Sequence, residues 1–193
     1  MIRIATTHDL PQILSIYGPY VLETTHSFEY TVPTLEVFTR RFEVITAQFP
    51  WLVWEEKGEI LGYAYGSLPF SRAAYQWSCE ASIYLAPKAQ GRGIGRRLYT
   101  ALEKILALQG YQKIYAIITD ENAGSITFHE KLGYVFCARM PGCGFKHGRR
   151  LGIIWLEKQL NFVEYPHIPP TSWPDLVENN GKLSDILAIL SLS

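Results

Sequence analysis

Apolar residues near the start of the chain repeat with helical spacing. Asp9, Pro11 and Gln12 form a capped start, and Leu10, Ile13, Tyr17, Tyr20 and Val21 then share one face of a first helix. Thr34 caps a second helix, with Leu35, Phe38, Phe42 and Ile45 on one side, ending before Pro50. From Trp51 the period shortens. Trp51 to Glu55 and Ile60 to Ser67 are rich in aromatic and β-branched residues around a turn at Gly58, which predicts a hairpin. Leu68 to Tyr75 carries Pro69 and reads as a loop, and Trp77 to Leu85 reads as a long central strand.

Helical spacing returns in Arg96 to Gln109, where Leu98, Leu102, Ile105 and Leu106 make an amphipathic helix that Gly110 ends. Ile114 to Ile118 is almost wholly apolar, as in a strand covered on both faces. Asn122 caps a helix reaching Leu132 and stopped by Gly133, and Tyr134 to Met140 and Gly152 to Leu156 are the last strands. Pro141 to Gly148 reads as an irregular glycine-rich link between them. The order β-α-α-β-β-β-α-β-α-β-β predicts an α/β fold of the α+β kind, a mixed sheet with helices on its faces. After Leu160 the composition changes. Pro166, Pro169, Pro170 and Pro174 mark an extended arm, and Leu183 to Leu190 could form a short helix docking on the body or on a second subunit. The expected division is a domain over residues 1–160 and an extension over 161–193.

Of the 193 residues 48% are hydrophobic and 19% charged, enough apolar side chain for one core and unlike a disordered chain. Lys+Arg and Asp+Glu both number 18, so no global positive field draws the protein to nucleic acid or an anionic membrane. No apolar run is long enough to span a bilayer and the N-terminus has no signal pattern, which predicts a cytoplasmic protein. Cys79, Cys137 and Cys143 form no Cys-x-x-Cys pair, so neither a disulfide framework nor a metal site is expected.

The sharpest motif is Gln90-Gly91-Arg92-Gly93-Ile94-Gly95-Arg96, between a predicted strand and a predicted helix. Glycines let backbone N–H groups converge on an anion, the helix dipole favours negative charge there, and arginines add charge-assisted bonds. A pyrophosphate suits such a turn. A dinucleotide fold would need its third glycine one residue later and in the first βα turn, and no Gly-Lys-Ser/Thr follows for a nucleotide-binding loop.

Gln-x-x-Gly-x-Gly/Ala after a long central strand resembles the coenzyme A signature of the GNAT acetyltransferases. Asn122 and Ser125 followed by Gly133-Tyr134 reproduce the second stretch of that family. Within it, Ile16-Tyr17, Thr25 to Glu29, Gly62 to Tyr65, Arg72 to Tyr75, Glu80 to Leu85 and Gly144 to Gly148 are similar to the phosphinothricin and methionine sulfoximine acetyltransferases. The similarity covers residues 2 to about 160.

The resemblance implies direct transfer of acetyl from acetyl-CoA, with no metal, to the α-amine of a small amino-acid-like acceptor, by a homodimer. Ile83, Tyr84 and Leu85 would pair through their backbone with the pantetheine arm, and Gln90 to Arg96 with Asn122 and Ser125 would complete the coenzyme site. An amine mostly protonated at neutral pH needs a base, and Glu80 is the candidate. His147 matches a histidine regarded in the relatives as catalytic or substrate-orienting. Arg72 and Tyr75 would bind the acceptor's acidic groups, and Phe28 and Glu29 would wall its pocket. Each could instead serve packing or a surface ion pair, and Lys146, Arg149 and Arg150 could assist or be exposed. Many GNAT enzymes have a tyrosine as general acid where this chain has His129, so the acid is open among His129, another hydroxyl or none. The rival readings are a GNAT enzyme acting on another small amine or a protein N-terminus, and a non-catalytic acyl-CoA-binding module.

Overall fold

The computed structural model describes residues 1–178 together with 186, 188 and 189. Along it run β1 (Ile2–Ile4), α1 (Leu10–Glu23), α2 (Leu35–Thr46), β2 (Trp51–Glu56), β3 (Glu59–Ser67), β4 (Ser78–Leu85) and α3 (Ile94–Gln109). Then follow β5 (Lys113–Thr119), α4 (Ala123–Lys131), β6 (Val135–Lys146), β7 (Arg149–Gln159) and α5 (Trp173–Glu178). The strands make one sheet in the order β1-β2-β3-β4-β5-β7-β6. Period-two alternation gives that sheet two apolar faces. On one, Leu10, Ile13, Tyr17, Phe38 and Phe42 of α1 and α2 cover Trp51, Val53, Ile60 and Tyr63. On the other, Leu98, Leu102, Ile105 and Leu106 of α3 cover Leu52, Ala64, Cys79, Ala81, Ile114 and Ala116.

The pairing of β4 with β5 organises everything that follows. It is parallel, as a strand–helix–strand crossover through α3 requires, and it lasts only from Ser78↔Lys113 to Glu80↔Tyr115. Beyond that row β4 stays with β3 as far as Gly62↔Leu85, while β5 stays with β7 as far as Thr119↔Ile153. The two strands part, and a cleft opens inside the sheet.

One expectation needs correction. The stretch Pro141 to Gly148 is not an irregular link: β6 runs through it to Lys146, and His147-Gly148 closes a two-residue hairpin to Arg149. His147 has φ 48° and Gly148 φ 72°, the pair of positive angles that the tight primed turn needs. A bulge between Met140 and Gly144 absorbs the proline and hides the strand from its alternation. The described part of the tail is built into the main core of the body. Trp173 and Leu176 are buried there, Gln109 Nε2 donates to the Gln48 and Thr171 carbonyls at 2.8 Å each, and Trp77 Nε1 donates to the Ile168 carbonyl at 3.0 Å. The helix expected over 183–190 lies outside the described residues except for Ile186, Ala188 and Ile189, which are helical, with Ile186 buried in the same core.

Candidate functional site

The cleft between the parted strands is lined on one bank by Ala81 to Tyr84 and on the other by Ala116 to Thr119. It widens into an outer cavity of about 380 Å³ bounded by Leu85, Gln90, Gly91, Gly95, Gly124 and Phe128, and Tyr20, His26, Ile83, Asn122 and Ser125 border both parts. The backbone of its β4 bank is unusually open. Ala86 N–H donates to the Leu61 carbonyl, so the groups of Ala86, Tyr84 and Ser82 point to β3, and those of Ala81, Ile83 and Leu85 point into the cleft. The Tyr20 hydroxyl donates to the Leu85 carbonyl at 2.7 Å and the Tyr99 hydroxyl lies 3.3 Å from the Ala81 carbonyl. Ile83, between them, is an open rung for an extended ligand.

The glycine turn meets the mouth of this cleft. Gly91 and Gly93 have φ of 72° and 78°, and Gly93 caps α3, whose first N–H groups have no intrahelical acceptor. Gly95 brings that helix close to β4: a Cβ there would lie 3.2 Å from Leu85 Cδ1 and 3.5 Å from Phe128 Cε2. Asn122 caps α4 by accepting from Ser125 N–H at 3.0 Å, so two helix N-termini face one cavity, an arrangement suited to phosphates. Gln90, Gly91, Gly95, Asn122 and Ser125 therefore come together as expected. Ile94 does not join them, being buried in the core, and Arg92 is held on both carboxylate oxygens of Glu56 at 2.9 Å. Arg96 is exposed beside the turn.

Glu80 occupies the last row before the strands part. Its side chain shares a face with those of Ser82 and Tyr84, the first of which borders the cleft about 7 Å further along the strand. Among the described residues it makes no side-chain hydrogen bond or ion pair. Burial alone pushes its carboxyl up to about 7, so a proton can be taken or given near neutrality. On the same face Tyr115, its partner across the row, belongs to an aromatic group with Phe70, Tyr75 and Trp155. Phe70 stacks on Trp155 at 5.6 Å and meets Tyr75 at 4.6 Å.

His129 lines the inner cleft and is 3% exposed. Nδ1 lies 2.7 Å from the Ser125 carbonyl, which can only accept, and Nε2 lies 3.0 Å from the Tyr99 hydroxyl. Burial lowers its pKa, so the ring is neutral, donates through Nδ1 and accepts from Tyr99.

A cleft between splayed parallel strands, with a glycine turn at its mouth and an isolated carboxyl at its apex, matches a known group of enzymes. The acetyltransferase (GNAT) domain matches residues 2–155. The chain belongs to the GNAT acetyltransferase family. A phosphinothricin N-acetyltransferase of Alcaligenes faecalis is 35% identical over 164 residues, covering 83% of this chain and 82% of that protein. An L-methionine sulfoximine/L-methionine sulfone acetyltransferase of Salmonella typhimurium is 34% identical over 161 residues, covering 83% of this chain and 94% of that protein. Among solved structures, a GNAT superfamily phosphinothricin acetyltransferase from Sinorhizobium meliloti in complex with AcCoA superimposes with a TM-score of 0.82. It is 35% identical and the match covers 91% of this chain and 96% of that one. The protein is thus an acetyl-CoA-dependent N-acetyltransferase, and the glycine cradle and open Ile83 rung suit the coenzyme's pyrophosphate and its extended arm.

The residues expected to bind the acceptor of this GNAT enzyme are less gathered. Phe28 lies against β6, in such contact with Gly144 that a Cβ there would be 2.3 Å from its ring. Glu29 pairs with Arg41 through Oε1, while its buried Oε2 has no partner among the described residues. Arg72 is exposed, and Tyr75 is half-exposed against Phe70. His147 stands at the exposed hairpin tip, about 26 Å of strand beyond the row shared by Glu80, Tyr115 and Glu157. Neither Arg72 nor His147 lines the cleft. Arg150 is exposed and Arg149 pairs with Glu121 at 2.7 Å, whereas Lys146 is buried. Sequence reasoning missed Tyr20 at the cleft and Tyr99 behind it, whereas His26 falls in the Thr25 to Glu29 stretch that the resemblance singled out. Tyr20 and Tyr99 sit on helical faces that read as core. No helix among the described residues is long and apolar enough to cross a membrane.

Proposed function

We propose that this GNAT enzyme acetylates the α-amine of a small amino-acid-like compound such as phosphinothricin, methionine sulfoximine or methionine sulfone, by direct transfer within a ternary complex. The observation that carries the reading is Glu80, a half-buried carboxyl in the last paired row before the cleft opens, with no side-chain hydrogen bond or ion pair among the described residues and pushed up to about 7 by burial. Acetyl-CoA supplies an activated acyl group as a thioester. Glu80 takes a proton from the acceptor's ammonium, directly or through a water, so that the amine lone pair forms the C–N bond as the C–S bond breaks. Both ring nitrogens of His129 are engaged, so it is no proton donor here, and a thiolate of pKa ~8.5 leaves adequately without a dedicated acid.

The relatives' printed names support the acceptor class. Acetylation removes the positive charge of the amine, so an inhibitor mimicking an amino acid loses its fit to its target, which makes detoxification the implied role. The same reading has the enzyme working in the cytoplasm as a homodimer, and a monomer mass at all concentrations in light scattering counts against the dimer.

The test is thiol release from acetyl-CoA with phosphinothricin, methionine sulfoximine, methionine sulfone, ordinary amino acids, a polyamine and short peptides. Turnover confined to the glutamine- and methionine-like analogues, with intersecting initial-rate lines, is the expected result. Turnover only on peptides or the polyamine keeps the family and overturns the acceptor. Tight coenzyme binding without turnover on any acceptor points to a binding module.

A further inference from the structure

Lys146 is only 2% exposed although it stands one residue before an exposed turn. Its ammonium donates to the Val21 carbonyl at 2.7 Å and the Ser27 carbonyl at 2.5 Å. Val21 belongs to the last turn of α1, where carbonyls lack an intrahelical donor and carry partial negative charge. Ser27 belongs to the link between α1 and α2. A buried ammonium is costly unless its hydrogen bonds are made, and an apolar side chain would serve plain packing better.

The neighbouring residues of β6 grip the same link. The Phe28 ring covers Gly144 so closely that a Cβ there would lie 2.3 Å away, and the Tyr30 hydroxyl donates to the Phe145 carbonyl. Gly144, Phe145 and Lys146 thus hold Phe28, Tyr30 and Ser27. On its other side the link borders the cleft through His26, and the Thr25 carbonyl accepts from the Thr119 hydroxyl at 2.6 Å, at the end of β5. The link is therefore a wall of the cleft fixed from behind.

We infer that Lys146 is a positioning residue for the acceptor: its buried ammonium, with Gly144 beneath the Phe28 ring, sets the wall against which the acceptor is held, without touching it. This rests on the function proposed above. The ammonium's hydrogen bonds go to Val21 and Ser27 and not to the glycine turn or the start of α4, so its loss acts more strongly on acceptor binding than on coenzyme binding.

The experiment compares wild type with Lys146→Met and Gly144→Ala, reading the acceptor KM, kcat, the acetyl-CoA Kd by calorimetry and the unfolding temperature. Charge-assisted bonds of this kind correspond to an increase in acceptor KM of roughly tenfold to a hundredfold in Lys146→Met. Gly144→Ala displaces Phe28 and shifts KM the same way, with the acetyl-CoA Kd held within about twofold in both. An unchanged acceptor KM in folded Lys146→Met overturns the inference, as does a parallel weakening of acetyl-CoA. If Lys146→Met does not fold, Gly144→Ala alone decides by the same readings. A wild type inactive on the whole panel removes the functional reading, and this inference with it.

Discussion

His129 Nε2 accepts from the Tyr99 hydroxyl at 3.0 Å, joining the last turn of α4 to α3. The ring therefore ties the helix that carries Asn122 and Ser125 to α3. Because burial lowers its pKa below the usual 6.5, the unfolded chain binds the proton more readily than the folded one. Stability falls as pH drops through 6.5 towards the folded value and is retained above it. His26, lowered by burial and then by the Lys146 ammonium, contributes with the same sign. Thermal unfolding between pH 7 and 5 tests this: wild type loses more stability than His129→Gln, and equal losses refute it.

Glu80 has the opposite linkage. Its folded pKa of about 7 exceeds the ordinary 4.5, so the folded state holds the proton more tightly and stability falls as pH rises between those values. Glu80→Gln removes the cost of burying the anion and is more stable than wild type at pH 8 by on the order of 2 kcal/mol. The same change lowers kcat by ~10²–10⁴ and removes the rise of kcat/KM with pH through about 7. Denaturant unfolding with pH–rate profiles reads both. A variant as active as wild type, or no more stable, removes Glu80 from the base role.

The helices were legible because each has one apolar face of fixed period, from Leu10 and Ile13 to Leu102 and Ile105, and the strands as far as β5 because they are runs rich in aromatic and β-branched residues. The glycine turn was legible because three glycines between arginines have few other uses. Only the first half of β6 was, since Pro141, Gly142 and Cys143 bulge out of register opposite Gly152 and erase the alternation beyond Met140. Long-range choices were also out of reach. Nothing local separates the buried Lys146 from the exposed Arg150, or shows that Arg92 meets Glu56, because those partners come from elements more than thirty residues away.

Gly95 has ordinary helical backbone, so its value is space. An alanine there puts a Cβ 3.2 Å from Leu85 Cδ1 and pushes α3 from the β4 bank where the turn faces the cavity. We expect Gly95→Ala to weaken acetyl-CoA binding by about tenfold, a loss near 1.4 kcal/mol, and to leave the acceptor KM unchanged at saturating acetyl-CoA. Calorimetric titration reads the first and initial rates the second. Wild-type coenzyme affinity in this variant would show that the close approach is packing alone.

The tail separates stability from catalysis. Leu176 is fully buried in the core shared with α3, while Asn161 Nδ2 donates to the Ala107 carbonyl at 2.8 Å and Thr171 N–H to the Gln109 carbonyl. These contacts gather at the C-terminal end of α3, and the glycine turn lies at its N-terminal end, about 24 Å away along a sixteen-residue helix. The described tail is therefore a plug under the sheet and does not cover the cleft. Leu176→Ala opens a cavity costing roughly 2–5 kcal/mol, which denaturant unfolding measures. At a temperature where the variant stays folded, kcat/KM for the acceptor remains within about twofold of wild type, since sites this far apart couple weakly. A folded Leu176→Ala that loses activity would instead tie the tail to the reaction.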